Sequence, residues 1–202
     1  MKIRKFKIIH CNAGWRDFSF LKIYTDEGVS GISEYNECYG SPGLSGIIYR
    51  LMQKLEGENP LNNEKIHQFL YSITRQAPGG IAQQAIAAIE NALLDIKGKA
   101  LNVPVHTLLG GAIRNKLKLY WSHCGTYRIS EEFSNIMEKE PIKNLEDLTD
   151  MGKSVKSAGY KALKTNILSF NGVSNLEMQG FAKNDGWPEL NVKPKTIDSL
   201  IK

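Results

Sequence analysis

The chain has few cysteines, and their arrangement cannot cross-link it. Its 202 residues contain only three, Cys11, Cys38 and Cys124, an odd and widely spaced set. Neither a disulfide framework nor a CxxC metal knuckle can be built from such a set. We therefore expect a reducing, cytoplasmic location.

Long apolar runs and blocks of one charge are also missing. The basic start, MKIRKFKIIH, alternates apolar and charged residues, and no apolar stretch of signal-peptide or membrane length follows it. The net charge of +5 comes from 26 basic and 21 acidic residues that are scattered along the chain. Because no basic block is present to bind phosphate backbones, we expect neither a nucleic acid nor a membrane as partner.

Alternation of apolar and polar residues near the start predicts an antiparallel meander of three strands. The strands are predicted over residues 2–9, 18–25 and 29–35. Gly28 supplies the positive φ of the tight turn before the third strand. Residues 10–17 are predicted to form a longer loop.

Apolar positions at helical spacing predict three helices after the meander. Their predicted bounds are 44–56, 62–75 and 81–101. The third is the clearest, because apolar residues line one face of it and its many alanines permit close packing on the meander. The residues of this face are Ala82, Ala85, Ile89, Ala92, Leu93, Ile96 and Ala100.

The second half of the chain predicts a different architecture. Pro104 ends the third helix and Gly110-Gly111 makes a compact turn, so a domain boundary is predicted near residue 112. Beyond it, a strand, a helix and a strand predict a βαβ unit with a parallel sheet. Their bounds are 116–122, 144–158 and 160–167. Residues 171–194 are predicted as a long loop, and a helix is predicted to start at 196.

The run from Ala87 to Val105, followed by Leu108-Leu109-Gly110-Gly111, resembles the end of the capping domain in the enolase superfamily, of the mandelate racemase and muconate-lactonizing type. The resemblance covers nearly residues 1–170. It implies an α+β capping domain over residues 1–111, with the antiparallel three-stranded meander and a helical bundle. It implies the start of a TIM-like (β/α) barrel over residues 112–202, which is incomplete in this chain because such a barrel needs eight strands.

Residues 21–31 and 162–166 are similar to sugar-acid dehydratases of the galactonate dehydratase kind. This likeness implies abstraction of the proton α to a carboxylate, followed by loss of the β-hydroxyl, with a sugar acid as the small-molecule carboxylate partner. The developing charge requires a divalent cation, so the resemblance implies Mg²⁺. The family's ligands stand on the third to fifth barrel strands, so they are expected beyond Lys202 and no metal ligand is named here.

Two other functions stay open. The first is a racemase, epimerase or cycloisomerase of the same superfamily, and the second is a truncated, catalytically inactive fragment. We expect the 202-residue chain alone to be inactive, and by analogy we expect a homo-oligomer.

Two residues of the last predicted strand are the candidate catalytic residues. By the resemblance, Lys164 matches the first lysine of the family's Lys-x-Lys strand, and Asn166 stands where racemases have a catalytic lysine. Side chains two apart on a strand share a face, and the charge of Lys164 would pair with the substrate carboxylate. An amide cannot abstract a proton, so the resemblance favours a His-Asp pair later in the chain as base. Without the resemblance, the segment is a solvated strand end.

Two loops of the capping domain are expected to contact the substrate. Residues 10–17 correspond to a loop that closes over the barrel mouth, and residues 36–43 correspond to a second one. Trp15 and Arg16 suit a polyhydroxy acid, because an aromatic face packs on sugar carbons and a guanidinium offers forked donors. Tyr39 is the candidate in the second loop. A plain surface or packing role is the alternative for all three residues.

Several other polar residues are predicted to have structural roles. The adjacent residues His123 and Cys124 point to opposite sides of a regular strand, so they cannot both bind one ion, and packing or hydrogen bonding is expected. His67 and His106 are predicted to be core or surface histidines, and Asp95 and Lys97 of the third helix are predicted to be structural or interfacial.

Overall fold

A computed structural model describes residues 1–14, 16–38, 40–123, 125–166, 168–170, 174–176 and 194. The chain forms two units, Met1–Asn115 and Lys116–Lys202. The division therefore falls between residues 115 and 116, whereas the sequence predicted a domain division after residue 111.

The first unit begins with the antiparallel sheet that the alternation predicted. Its strands are β1 (Ile3–Asn12), β2 (Asp17–Thr25) and β3 (Ser30–Tyr35), in the order β1-β2-β3. Leu21 and Ile23 of β2 are fully buried on one face of the sheet. The loop predicted over 10–17 is wrong at both ends, because His10 to Asn12 pair with Asp17 to Ser19 and leave only residues 13–16 as the connection.

Four helices follow the sheet: α1 (Leu44–Met52), α2 (Asn63–Ile73), α3 (Gly80–Leu101) and α4 (Val105–Leu108). The first three confirm the predicted helices, but α1 ends earlier than residue 56. Turn hydrogen bonds replace the helix there, from the Leu55 N–H to the Met52 carbonyl and from the Glu58 N–H to the Leu55 carbonyl. The short helix α4 lies where only a turn was predicted.

Small residues bring α3 directly onto β3, as predicted. A Cβ atom at Gly31 would lie 2.0 Å from the carbonyl oxygen of Ala92. The Ser33 hydroxyl donates to the carbonyl of Ala88 at 2.6 Å. The predicted burial of Ala100 is wrong, because the last turn of α3 packs instead through Gly98, where a Cβ would lie 2.9 Å from the carbonyl oxygen of Val103.

The second unit contains the predicted parallel pair of strands, but both strands are short. These are β4 (Trp121–Ser122) and β5 (Leu163–Lys164), with Trp121 opposite Leu163 and Ser122 opposite Lys164. Helix α6 (Leu145–Ser157) connects back to β5 and confirms the predicted βαβ order. Its Met151 and Val155 are buried with Ile142, and Trp121 packs against this cluster.

Four elements of the second unit were not predicted. A 3₁₀ helix (Thr126–Ile129) and α5 (Glu131–Ile136) lie between β4 and α6. Strands β6 (Leu168–Phe170) and β7 (Ser174–Leu176) form an antiparallel pair, so the long loop predicted from residue 171 is wrong at residues 174–176. The helix predicted to start at 196 lies outside the described residues. Within the described ranges, no helix combines the length and the apolar composition that a membrane span requires.

Candidate functional site

Lys164 is the last residue of β5, directly opposite Ser122 at the end of β4. Trp121 packs on the cluster beneath α6, and neighbouring side chains on a strand point to opposite faces. Ser122 and Lys164 therefore lie on the sheet face that turns away from α6, and both are exposed. In a parallel sheet covered by helices, this is the inner face, and the carboxyl ends of its strands carry the active site in barrel enzymes.

Asn166 lies beyond the end of β5, so the prediction that one strand carries both Lys164 and Asn166 is wrong. Its backbone N–H donates to the Thr126 hydroxyl at 3.3 Å, which ties the segment after β5 to the 3₁₀ helix after β4. The catalytic roles predicted for Lys164 and Asn166 stay predictions. Ser122 was not a candidate, because the order of strand, helix and strand predicts that the two strands pair but not their register.

The β1–β2 connection is a tight hairpin that Asn12 organises. Its side-chain oxygen accepts the Gly14 N–H at 2.8 Å, and its side-chain nitrogen donates to the Asp17 carboxylate at 2.8 Å. The Ala13 N–H also donates to the Arg16 carbonyl at 3.0 Å. The described residues of this loop are therefore held by their own polar groups.

Arg16 is held by the sheet. Its guanidinium lies 3.9 Å from the centroid of the Phe18 ring and 3.3 Å from the Glu34 carboxylate on β3. The side chain is only 20% exposed, so much of its surface is already used. Binding of substrate by Arg16 stays a prediction, and Trp15 lies outside the described residues.

The second loop is anchored by Glu37 at the start of α1. The Glu37 carboxylate accepts the backbone N–H groups of Gly43 at 2.9 Å and Ser45 at 3.3 Å, and also the Ser45 hydroxyl. Gly43, the residue before α1, has no side chain with which to cap the helix. Glu37 therefore supplies the negative charge and the acceptors that a helix N-terminus favours. Tyr39, the substrate-contact candidate of this loop, lies outside the described residues.

Tyr35 connects this anchor to the sheet. Its hydroxyl lies 2.7 Å from the Ser45 hydroxyl. Burial raises the pKa of the Tyr35 phenol, and the nearby Glu37 carboxylate raises it further, whereas the hydrogen bond with Ser45 acts in the opposite direction. The second loop is thus joined to β3 through a neutral phenol.

The histidines do not form a metal centre in the described part of the chain. Nδ1 of His67 lies 3.3 Å from Oε2 of Glu90, and the His67 ring stacks on Tyr71. His123 packs against Tyr127, with ring centroids 5.6 Å apart. Among the described residues, no group of three or more His, Cys, Asp or Glu side chains could hold a metal ion. These residues therefore do not fit a magnesium site, and no catalytic step is assigned through one.

The sequence of this chain is similar to a known family and to a known enzyme. Residues 3–110 match the family model "Mandelate racemase / muconate lactonizing enzyme, N-terminal domain". The chain is 40% identical over 149 residues to D-galactonate dehydratase from Pectobacterium atrosepticum, an alignment that covers 70% of this chain and 36% of that enzyme. The chain therefore spans well under two thirds of this relative.

Solved structures show the same likeness over more of the chain. A protein from Burkholderia xenovorans LB400, assigned as an L-alanine-DL-glutamate epimerase and bound to magnesium and fumarate, is 37% identical with a TM-score of 0.89, covering 99% of this chain and 49% of that one. A member of the enolase superfamily from Salmonella Typhimurium is 31% identical with a TM-score of 0.70, covering 82% of this chain and 42% of that one. In both comparisons, this chain covers about half of the other protein or less.

Proposed function

Since the chain belongs to the mandelate racemase / muconate lactonizing enzyme family of the enolase superfamily, we propose that it forms part of a magnesium-dependent sugar-acid dehydratase. In this reaction a base removes the proton α to the substrate carboxylate, and the β-hydroxyl leaves with a proton as water. The observation that carries the proposal is the position of Lys164, at the carboxyl end of a parallel strand and on the face away from α6. The dehydratase relatives support the choice of a sugar acid.

Lys164 is proposed to pair with the substrate carboxylate. A lysine ammonium is charged at neutral pH, and a positive charge beside the carboxylate stabilises the negative charge that develops as the α-proton leaves. Bound Mg²⁺ would supply the remaining neutralisation. We propose that the Mg²⁺ ligands and the catalytic base both lie outside the described residues.

An epimerase of the same superfamily is the second candidate. It is favoured by the Burkholderia protein, which matches nearly the whole of this chain. The two functions share the first step and differ in whether a β-hydroxyl leaves. The small-molecule partner, the homo-oligomeric state and the cytoplasmic location are part of the same proposal, and they rest on the resemblance and on the cysteine content.

The test is an assay of the protein that the complete gene encodes, with and without Mg²⁺, against a panel of sugar acids and L-alanyl-glutamate dipeptides. We expect a 2-keto-3-deoxy acid from at least one sugar acid, and only with Mg²⁺. Epimerised dipeptide without dehydration would favour the second candidate. Absence of turnover on the whole panel would contradict both.

The variant Lys164→Met tests the proposed role of the lysine. Loss of a charge that acts in the transition state should lower kcat/KM about 10²- to 10³-fold, as with loss of an oxyanion-hole donor. Lys161→Met is the matched control, because it removes the same charge from an exposed position in the same segment, before β5. Equal activities of the two variants would exclude Lys164 from the site.

A further inference from the structure

His123 has a left-handed backbone conformation in a turn that does not end a helix. Three non-glycine residues in the described part of the chain have positive φ: Asn102 at 54°, His123 at 55° and Glu138 at 51°. Asn102 directly follows α3, and Glu138 follows Met137 at the end of α5. Left-handed residues at those places end helices and satisfy their last carbonyls. His123 instead follows the strand β4, where there is no helix to end.

His123 lies at a place where a left-handed residue can indicate an active site. Left-handed non-glycine residues cost energy, and they persist where the surrounding structure holds them, often at active sites. His123 comes directly after Ser122, the partner of Lys164 in the sheet. It therefore stands at the carboxyl end of the strand beside the proposed carboxylate-binding lysine.

The imidazole ring is held in place by aromatic neighbours. Its centroid lies 5.6 Å from that of Tyr127 in the 3₁₀ helix, and Tyr127 makes an edge contact with Phe133 of α5 at 6.1 Å. Nδ1 of His123 is buried and has no hydrogen-bond partner among the residues that the structure describes. A buried nitrogen without a partner is costly, and a buried atom cannot meet a ligand, so a substrate would reach this ring through its other nitrogen, Nε2.

We propose that His123 is a substrate-contacting residue that hydrogen-bonds a hydroxyl group of the hydroxy-acid substrate, with Tyr127 and Phe133 as positioning residues for its ring. This inference rests on the proposed function, which supplies the hydroxyl groups. A short connection between β4 and α6 would leave the ring without these neighbours. The 3₁₀ helix and α5 thereby acquire a role in substrate specificity.

The first test uses His123→Gly and His123→Asn in the protein that the complete gene encodes. Glycine relieves the backbone strain and removes the ring, whereas asparagine tolerates the same backbone and keeps hydrogen-bonding groups. We expect His123→Gly to raise KM for the sugar acid about tenfold, the effect of one lost hydrogen bond. His123→Asn should recover part of the affinity, and kcat should change less than KM. Glu138→Gly is the matched control, because it relieves the same strain after α5 and should leave KM unchanged.

Two kinetic outcomes would overturn the inference. One is an unchanged KM in His123→Gly, which would leave the dehydratase proposal standing. The other is a loss of activity in proportion to a fall in the thermal midpoint, with no recovery in His123→Asn, which would mark a purely structural residue.

A second measurement does not depend on turnover. The ¹⁵N chemical shifts of the His123 ring are followed while the sugar acids of the panel, D-galactonate among them, or L-alanyl-L-glutamate are added. A shift with a sugar acid supports the inference and the proposed function together. A shift with the dipeptide alone refutes both, because the dipeptide has no hydroxyl group. No shift with any of these acids overturns the inference.

Discussion

Gly31 of β3 lies in close contact with the backbone of α3. A Cβ there would lie 2.0 Å from the Ala92 carbonyl oxygen and 2.8 Å from Cγ1 of Ile96. Because the nearest atom belongs to a helix backbone, the helix would have to move. We expect Gly31→Ala to lower the free energy of unfolding by about 1–3 kcal/mol, the usual cost of overpacking, as measured by urea denaturation.

Gly46 provides the control, because the same substitution should have the opposite sign there. It lies inside α1 and is exposed, and a Cβ atom at this position would have open space within 4 Å. Alanine is favoured over glycine in a helix by about 0.5–1 kcal/mol, so Gly46→Ala should stabilise the protein. A stabilising Gly31→Ala would show that α3 does not lie on β3 as described.

At the residue scale, a candidate site residue can be recognised from the sequence when the residues next to it in the chain form a known motif. Lys164 became a candidate through the resemblance of residues 162–166 to a strand of the family, and its role stays a prediction. The contacts of Arg16 with Phe18 and Glu34, and the Glu37 contacts at the start of α1, depend on the fold. Glu34 lies on β3, eighteen residues after Arg16, and no local pattern could have indicated this pairing.

At the element scale, the outer edge of β3 is covered by charged side chains of α3. The Ile32 N–H donates to the Asp95 carboxylate at 2.9 Å. The Lys99 ammonium donates to the Ser30 carbonyl at 2.8 Å and to Asp95 at 2.6 Å. Unpaired strand edges invite pairing with another chain, and charged side chains are a common protection. Asp95, which was expected to be structural or interfacial, satisfies a backbone donor of this edge.

Asp95→Ala should expose that edge. The Ile32 N–H would lose its acceptor, and the Ile32 side chain is already 46% exposed. We expect self-association above that of the wild type, increasing with concentration, in sedimentation velocity. Asp150→Ala is the control, because Asp150 pairs only with Lys153 on the exposed surface of α6 among the described contacts. Equal association of the two variants would argue against a protective role for Asp95.

The same scale shows which elements could be predicted. Helix α3 was predicted within one residue of its observed start because its long apolar face repeats over many turns. The 3₁₀ helix and α5 were missed because elements of four and six residues are too short to show a helical period. Strands β4 and β5 were predicted too long because alternation shows where a strand can form, whereas the partner strand determines how far it pairs.

At the scale of the whole molecule, the described residues of the two units form cores of very different extent. The first core includes buried residues from all three strands of the sheet and from α1, α2 and α3. The second, within the described residues, consists of Ile142, Met151 and Val155 with partly buried neighbours. Its parallel strands pair through only two residues each. The candidate residues Lys164 and His123 therefore stand on the unit with the smaller core.

This difference predicts separate opening of the two units in hydrogen exchange on the intact chain. Local stability follows buried apolar contact and protected backbone hydrogen bonds, so amides of α6 should exchange at least about tenfold faster than those in the middle of α3. Both segments are regular α-helix, and α3 thus serves as the internal reference for α6. Equal protection of α6 and α3 would contradict this expectation, which rests on the three buried residues that the described part of the second core contains.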